Sequence, residues 1–443
     1  MIDQLPKSWA RVSLGEVLLS IVGGGTPSKK NPLYWNGDIP WFTVKDMHSR
    51  TPIDSIDHIT SAGLDDSAAT LIPADSVITA TRIGLGKTIR LTYPAAINQD
   101  LKALITPAGL DKGYLEYWIL ANRSLIESQG KGTTVKGIRL ETLRAFEFPL
   151  PPLAEQKRIV ARIEELFSEI DNGVANLQRA KELLVTYRQS VLKAAFEGKS
   201  VQGLEVIEFE IVRLRDLADA VDPHPSHRTP PEVSDGIPYV SIRDLKPGED
   251  TVDPSNARRV SRKVLAEHRD RYTLVEGDFI VGKIGTVGKV IRVPARRDIT
   301  LSANVVLVQP DRARVLPRYL YWCIQSSPVQ SQFLIGKRAT SQAAFGIQKF
   351  RELQIPLCSI VDQERIVSII DSSMSASDVA HQTITTSVAQ ASALRRTILE
   401  QAFSGQLVPQ NPNDEPASSL LERIKAEKAA QKPATSRKKR KSA

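Results

Sequence analysis

The stretch FPLPPLAEQKRIV, Phe148 to Val160, has a counterpart later in the chain, IPLCSIVDQERIV, Ile355 to Val367. Pro149, Leu150, Gln156, Arg158, Ile159 and Val160 recur as Pro356, Leu357, Gln363, Arg365, Ile366 and Val367, always 207 residues on. The same offset relates SVLKAAFEGKSV, from Ser190, to TILEQAFSGQLV, from Thr397. There Leu192, Ala195, Phe196, Gly198 and Val201 recur as Leu399, Ala402, Phe403, Gly405 and Val408. An unchanged offset across the intervening segment means that the two copies have equal length there. Self-similarity of this kind marks a duplicated architecture. The chain therefore holds two similar domains related by a pseudo-two-fold.

The repeat continues upstream with slips. DIPWFTVKD, Asp38 to Asp46, parallels GIPYVSIRD, Gly236 to Asp244. RIGLGK, Arg82 to Lys87, parallels KIGTVGK, Lys283 to Lys289, and Tyr114 and Leu115 parallel Tyr319 and Leu320. Each half thus has a variable front part and a length-locked back part.

The back part reads as one long helix. From Glu155 to Phe196 there is no proline and one glycine, Gly173. Ile159, Ile163, Leu166, Ile170, Leu177, Leu184, Tyr187 and Val191 alternate at spacings of three and four, with Gly173 and Ala180 completing the seam, which predicts packing on a second helix. Pro151 and Pro152 set its start, and Gly198 stands where a C-terminal cap is expected. A second helix, from about Asp362 to Phe403, carries a thinner stripe of Ile366, Ile370, Ala380, Ile384, Ala391, Leu394 and Ile398, with Ser373, Ser377 and Ser387 between. About 42 residues make a helix roughly 63 Å long. Two of them most simply pack antiparallel as a coiled-coil-like rod.

The front parts hold short apolar runs, SVITA from Ser76, LKALI from Leu101, DFIVG from Asp278 and VVLV from Val305, separated by turn residues. They predict mainly β domains with a helix near Tyr114–Leu125 and its counterpart near Pro317–Gln325. The expected fold class is α+β. The expected boundaries are a first β domain over 1–148, a central helix over 149–200, a second β domain over 201–355, a distal helix over 356–408, and a polar tail over 409–443 with a short helix near Pro416–Lys428.

Composition sets wider limits. The chain has 443 residues, 41% of them hydrophobic, with no apolar run of the length a membrane span requires. The N-terminus lacks the basic-then-apolar build of a signal peptide. The two cysteines, Cys323 and Cys358, have no metal-ligand spacing, which points to a reducing cytoplasm. A net charge of +9 favours phosphate-bearing partners. Part of that charge lies in the terminal run from Arg437 to Lys441, which reads as a solvated tail.

Catalytic equipment is missing. Asn31-Pro32-Leu33-Tyr34 approaches an adenine methyltransferase motif but has Leu33 in place of its second proline, so a turn is expected. Gly86-Lys87-Thr88 resembles the end of a phosphate-binding loop, yet Thr81 stands where the loop needs glycine. Gly84 and Gly86 then mark a tight strand turn. His224 and His227 have no further ligand at metal spacing. Asp46 and Asp244 are repeated acids, and beside Lys45 and Arg243 they read as local ion pairs. No catalytic or metal-ligating residue is assigned.

The stretch GGGTPSKKNPLYWNGDIPWFTVKD, Gly23 to Asp46, resembles the start of a target-recognition domain in type I restriction specificity subunits. PLPPLAEQKRIV is similar to the start of their central conserved helix, and AFSGQLVPQNPNDEPASSLLERIKAEK, Ala402 to Lys428, to their C-terminal end. The resemblance covers nearly the whole chain except the basic tail. It implies a non-catalytic subunit that binds double-stranded DNA, each recognition domain reading one half of a bipartite asymmetric site. The helices would set the spacer and dock two modification subunits, which bind S-adenosylmethionine and methylate adenine. Restriction subunits would join for cleavage. In the second copy DPHPSHRTP, Asp222 to Pro230, replaces GGGTPSKK, so contacts do not transfer one to one.

DNA reading needs donors at base edges and cations near phosphate. The expected contacts are Thr26, Ser28, Lys29, Lys30, Lys45, Arg82 and Lys87 in the first domain, and His227, Arg228, Arg243, Lys283 and Lys289 in the second. The basic loops 130–137 and 336–342 add Lys131, Lys136, Lys337 and Arg338. Trp41 and Tyr239 are expected in the core. Gln156, Arg158, Gln363 and Arg365, repeated at the helix starts, are expected on partner-docking faces. A self-sufficient methyltransferase-nuclease lacks its motifs here. A bipartite DNA-binding scaffold or regulator without a methyltransferase partner is the alternative.

Overall fold

Apolar runs of four to six residues, separated by glycine-rich turns, are too short for helices and pair as strands. In the computed structural model, which describes residues 5–132, 136–197, 207–224, 229–246, 250–336 and 344–430, Ser76–Ala80 pairs antiparallel with Thr88–Leu91 on one side and Leu101–Ile105 on the other. Ser20–Gly23 completes a four-stranded sheet. A second sheet orders Asp57–Ile59, Trp35–Phe42, Ala95–Ile97 and Leu71–Ile72, with a parallel pairing of Trp41 to Ala96. Ala10–Ser13 pairs with Glu147–Leu150, which ties the start of the domain to its end.

The same plan recurs in the second half. Ala218–Val221, Val305–Pro310, Phe279–Gly282 and Val290–Arg292 form the four-stranded sheet in the same order. Arg259–Val260, Ile237–Val240 and Thr300–Leu301 form the second sheet, with Tyr239 parallel to Thr300 as Trp41 is to Ala96. Glu210–Arg213 pairs with Gln354–Leu357. Contacts divide the chain into two units, one of residues 1–175 with 388–443, the other of 176–387. The fold is α+β with two like halves, as the repeat implies.

Two helices of equal length, Leu153–Phe196 and Ile360–Phe403, give each unit a helical part. In the first unit Ile159 and Ile163 near the start of the central helix join Leu399, Ala402 and Phe403 at the end of the distal helix in one core. In the second, Ile366 and Ile370 of the distal helix join Leu192, Ala195 and Phe196 of the central helix. Numbering runs in opposite senses along the partners, so the pair is antiparallel within each unit. Asp171 pairs with Arg395 in the first unit and Arg188 with Asp378 in the second. These pairs are images of each other at the 207-residue offset.

The seam is thinner than the heptad pattern implies. Tyr187 and Leu394, expected on it, are exposed, and a Cβ added at Gly173 meets nothing within 4 Å. Burial concentrates at the helix ends, where the β domains supply the apolar partners. At the distal end Gly405 takes φ +75°, and Gln406 N–H donates to the Gln401 carbonyl at 2.9 Å, a left-handed cap. Gly198 lies outside the described residues. Among the described residues no helix is long and apolar enough to cross a membrane.

The segment expected as a polar tail has a buried face. Ala417–Ala430 is a helix whose Ala417, Leu420 and Ile424 enter the first unit's core. The interrupted polarity of the sequence hid this stripe of three residues. Asp414 also pairs with Arg158 at 2.7 Å. Leu420→Ala is expected to destabilise the first unit by about 2–5 kcal/mol. Tryptophan fluorescence during urea unfolding checks this, since the loss should move Trp9 and Trp118 and leave the Trp322 transition in place.

Candidate nucleic-acid interface

Four loops meet at one end of the first unit's sheets. The hairpin between Ser76–Ala80 and Thr88–Leu91 closes where Ala80 N–H donates to the Lys87 carbonyl at 2.9 Å and Gly86 N–H to the Ala80 carbonyl at 3.1 Å. Gly84 and Gly86 at φ +75° and +72° make the return. The Asp100 carbonyl accepts from Thr81 N–H at 2.9 Å and Arg82 N–H at 3.3 Å. Its carboxylate lies 3.4 Å from the Arg82 guanidinium. The basic loop joins through Ile138 N–H to the Thr81 carbonyl and a mutual pair of 2.9 Å bonds between Lys131 and Gly137. The glycine-rich opening joins through Gly25 N–H to the Ile97 carbonyl at 3.0 Å and the Thr26 hydroxyl to Gln99 at 2.6 Å. A Cβ on Gly24 would stand 1.8 Å from the Ile97 oxygen, so only glycine fits.

This cluster brings together Thr26, Arg82, Lys87, Lys131 and Lys136 of the expected contacts. Ser28, Lys29 and Lys30 follow on the glycine-rich loop and are exposed, as is Lys45. The Ser28 carbonyl accepts from the Trp35 indole at 3.2 Å. Sequence reasoning missed Asp100, Gln99 and Lys102, whose ammonium donates to the Gln99 carbonyl at 2.7 Å. Burial, opposed by Asp100, pulls the Lys102 pKa below its usual value.

The second unit repeats the backbone and changes the side chains. Lys283 N–H donates to the Asn304 carbonyl at 2.9 Å and Phe345 N–H to the Lys283 carbonyl at 2.8 Å. Asn304 therefore stands where Asp100 stands in the first unit, and it offers no charge. Lys283 turns to Asp222 instead, at 2.7 Å, and is only 6% exposed. Lys283 is thus corrected from an exposed phosphate contact to a buried ion pair. Arg243 and Lys289 are exposed as expected. Arg243, Asn256, Arg258, Ser302 and Asn304 line a polar cavity of about 230 Å³. Asn256, Arg258 and Asn304 were not legible because a drifting offset hides their counterparts. His227, Arg228, Lys337 and Arg338 lie outside the described residues.

The docking expectation at the helix starts is corrected for both glutamines. Gln156 and Gln363 are fully buried. Gln156 accepts from Asp111 N–H at 2.8 Å and donates to the Pro151 carbonyl at 3.0 Å. Gln363 accepts from Leu316 N–H at 2.8 Å and donates to the Cys358 carbonyl at 3.0 Å. They pin each helix start to its own β domain. Arg158 is engaged by Asp414, whereas Arg365 is largely exposed beside Asp362.

Asp46 and Asp244 are caps rather than partners of Lys45 and Arg243. Each accepts a 2.7 Å bond from the backbone three residues earlier, at Thr43 and Ser241, together with that residue's hydroxyl. Trp41 and Tyr239 are buried, as expected. Asn31 caps a short turn over Pro32–Tyr34 by accepting from Leu33 N–H at 3.1 Å. Among the described residues no group of three or more His, Cys, Asp or Glu side chains is placed to hold a metal. Both cysteines are free thiols.

One hairpin residue departs from ordinary backbone geometry. Ile83 has φ +41° and is 54% exposed. A β-branched residue there is a genuine outlier, costing on the order of 1–3 kcal/mol.

Behind the second unit's cavity, His268 is buried with Nδ1 2.5 Å from the Thr300 hydroxyl, which lies 3.0 Å from the Tyr272 hydroxyl. Tyr272 in turn receives Leu301 N–H at 3.0 Å, fixing the strand that leads to Ser302 and Asn304. Burial first, then His224 and Arg271, lower the His268 pKa to about 4 from 6.5. Between those values the unfolded chain binds a proton that the folded chain refuses. Stability is therefore full above pH 6.5 and falls as pH drops toward 4, by up to about 3 kcal/mol. Urea unfolding across that range should show the slope, and His268→Asn should flatten it.

The family model for the type I restriction modification DNA specificity domain matches residues 6–179 and again 207–388. The EcoBI specificity subunit of Escherichia coli is 25% identical over 370 residues, covering 77% of each chain. The StySPI specificity subunit of Salmonella potsdam is 23% identical over 456 residues, covering 96% of each. Among solved structures, the HsdS subunit from Thermoanaerobacter tengcongensis has a TM-score of 0.60 at 19% identity, covering 91% of this chain and 98% of that one. A chain from a structure of type I R-M complex assembly has a TM-score of 0.69 at 18% identity, covering 91% and 100%. These two likenesses support the fold.

Proposed function

The chain belongs to the type I restriction-modification DNA specificity family, and on that premise we propose that its two units each read one half of a bipartite, asymmetric DNA site for a methyltransferase complex. The chain is the targeting component and not the catalyst. The observation that carries the reading is the loop cluster built twice on one backbone plan with different side chains. In one unit a guanidinium faces Asp100; in the other an ammonium is withdrawn onto Asp222 and Asn304 takes the acid's place. Arginine and asparagine read guanine and adenine edges in the major groove, and cations on the surrounding loops hold phosphate. Different groups at equivalent places read different half-sites.

Two modification subunits dock on the chain, supply S-adenosylmethionine and methylate one adenine in each half-site. Restriction subunits join for cleavage. The two long helices set the number of unread base pairs between the half-sites. Their equal length supports equivalent docking of two identical partners.

Exchanging residues 1–148 for the corresponding part of another family member, in the chain co-expressed with its modification subunit, is expected to change one half-site and preserve the other. Methylation mapping reads the outcome, and a change in both halves rejects modular reading. The chain purified alone is expected to transfer no methyl group; activity without the modification subunit would sink the assignment of catalysis to a partner.

Adding one helical turn beside Gly173, with a matching turn in the distal helix at the antiparallel position, is expected to lengthen the unread spacer while both half-sites persist. The same mapping checks it. An unchanged spacer in an active complex removes the helices from that role.

A further inference from the structure

Three side chains of the first unit, Asn98, Asp100 and Arg82, lead from the buried sheet to solvent. Asn98 is 7% exposed, and its N–H donates to the Phe42 carbonyl at 3.0 Å. Its side-chain oxygen accepts from Asp100 N–H at 3.1 Å, and its amide donates to the Asp100 carboxylate at 3.3 Å. The Asp100 carbonyl is occupied in turn by the N–H groups of Thr81 and Arg82. Asp100 is therefore held at its N–H, its carbonyl and one carboxylate oxygen. The other oxygen lies 3.4 Å from the Arg82 guanidinium, whose side chain is 51% exposed against 13% for the acid. Among the described residues the guanidinium has this ion pair and makes no hydrogen bond.

A guanidinium steered by a fixed carboxylate has less freedom to lose on binding, and it keeps its N–H groups in a planar fork. Its neighbour adds further donors. The Gln99 side-chain oxygen is taken by the Thr26 hydroxyl at 2.6 Å, which leaves the N–H groups of an exposed amide. Guanine presents two acceptors, N7 and O6, in the major groove, whereas adenine presents an acceptor and a donor. A donor-rich cluster matches guanine and sets a donor against the adenine N6.

The second unit changes all three members at once. In the backbone pairing Ile284 bridges Ala344 as Arg82 bridges Gly137. Lys283 N–H reaches the Asn304 carbonyl as Thr81 N–H reaches that of Asp100. Asn304 N–H donates to the Ser302 hydroxyl at 3.3 Å as Asp100 N–H donates to Asn98. Ile284, Asn304 and Ser302 thus replace Arg82, Asp100 and Asn98. The guanidinium, its acid and the amide that holds the acid are lost together, as parts of one device would be.

We propose that Arg82 reads one guanine of the half-site bound by the first unit, through N7 and O6, and that Asp100, itself fixed by Asn98, is the positioning residue for that contact. This rests on the reading of the units as DNA readers and commits it to one base and one groove. The acid also cancels a cation near phosphate, which weakens attraction to DNA of any sequence. Asp100 therefore raises discrimination and lowers affinity for unrelated duplex.

The test uses the chain assembled with its modification subunits on a duplex carrying its mapped methylation site, with binding read by fluorescence anisotropy. The exchange of residues 1–148 identifies the half-site of the first unit. 7-Deazaguanine, which lacks N7, replaces each guanine there in turn, and one replacement is expected to weaken binding about tenfold. Inosine at that position alters the minor-groove edge and should not reproduce the loss. Arg82→Ala should bind the unmodified duplex about tenfold more weakly and be indifferent to 7-deazaguanine at that position. Arg82→Lys keeps the charge without the fork. It should lose the preference for guanine over adenine there and bind unrelated duplex as the wild type does. Asp100→Asn should reduce the preference severalfold while binding unrelated duplex at least as tightly, whereas a merely structural role would weaken both. Recognition of the other half-site should persist in each variant, which reports an intact complex.

Wild-type binding insensitive to 7-deazaguanine throughout that half-site overturns the assignment, as does a sensitivity that Arg82→Ala retains in full. An undiminished preference in Asp100→Asn overturns the positioning role. Wild-type failure to bind a duplex that carries its mapped site would instead overturn the reading of the units as DNA readers.

Discussion

Each unit's core is closed by the start of one long helix and the end of the other, and this constraint governs the rest of the structure. Tyr114 shows how it works. Its hydroxyl donates to the Pro149 carbonyl at 2.8 Å, and its ring lies 5.1 Å from Phe403. Tyr319 donates to the Pro356 carbonyl at 2.6 Å, and its ring lies 5.3 Å from Phe196. One tyrosine per unit thus joins the strand that launches one helix to the residue that finishes the other. A single residue added within a helix would turn its end by about 100° and carry Phe196 or Phe403 off its tyrosine. That is the physical reason for an offset that never departs from 207 across the helices while it drifts in the β domains. Loops on a sheet absorb insertions; a helix anchored at both ends does not.

The energy is distributed accordingly. The ends of the helices carry the apolar burial, and the two exposed ion pairs, Asp171 with Arg395 and Arg188 with Asp378, contribute little individually. Their value lies in register, because each also has a second neighbour. The Arg395 guanidinium stands 5.3 Å from the Phe167 ring centre, and Arg188 donates to Ser377 at 2.7 Å. A slip of one helix past the other breaks these contacts together with the apolar ones.

Much of this was legible in the sequence because a repeat exposes equal lengths and equal roles directly. The strands SVITA and LKALI, the helix near Tyr114 and both long helices stand where pattern places them, to within four residues at the ends. The errors have common causes. Gln156 and Gln363 are polar and repeated, a pattern shared by surface docking groups and buried pins, and only burial separates the two. Tyr187 and Leu394 fit a heptad, but a heptad specifies a face without saying whether a partner covers its whole length. Lys283 aligns with Arg82 in the sequence motif but takes the place of Thr81 in the backbone pairing, and its burial is decided by Asp222, a residue distant in sequence. The helix after Pro416 hides its apolar stripe because Leu420 and Ile424 are spaced four apart within a charged run.

The contrast between Arg82 and Lys283 bears on how such a chain diversifies. The backbone bonds that hold the hairpin are donated by main-chain N–H groups and survive any side chain placed there. The charge around them is set by a few exchangeable positions: Asp100 against Asn304, Gln99 against Ala303, and an Asp222 supplied from outside the second hairpin. On the proposed reading, new specificity requires changes on loops whose geometry is already fixed, with no demand on the cores beneath. The helices impose the opposite condition, since their cores and lengths are coupled at both ends. Duplication under these two conditions yields halves that diverge freely on their loops and remain locked where they must share two helices.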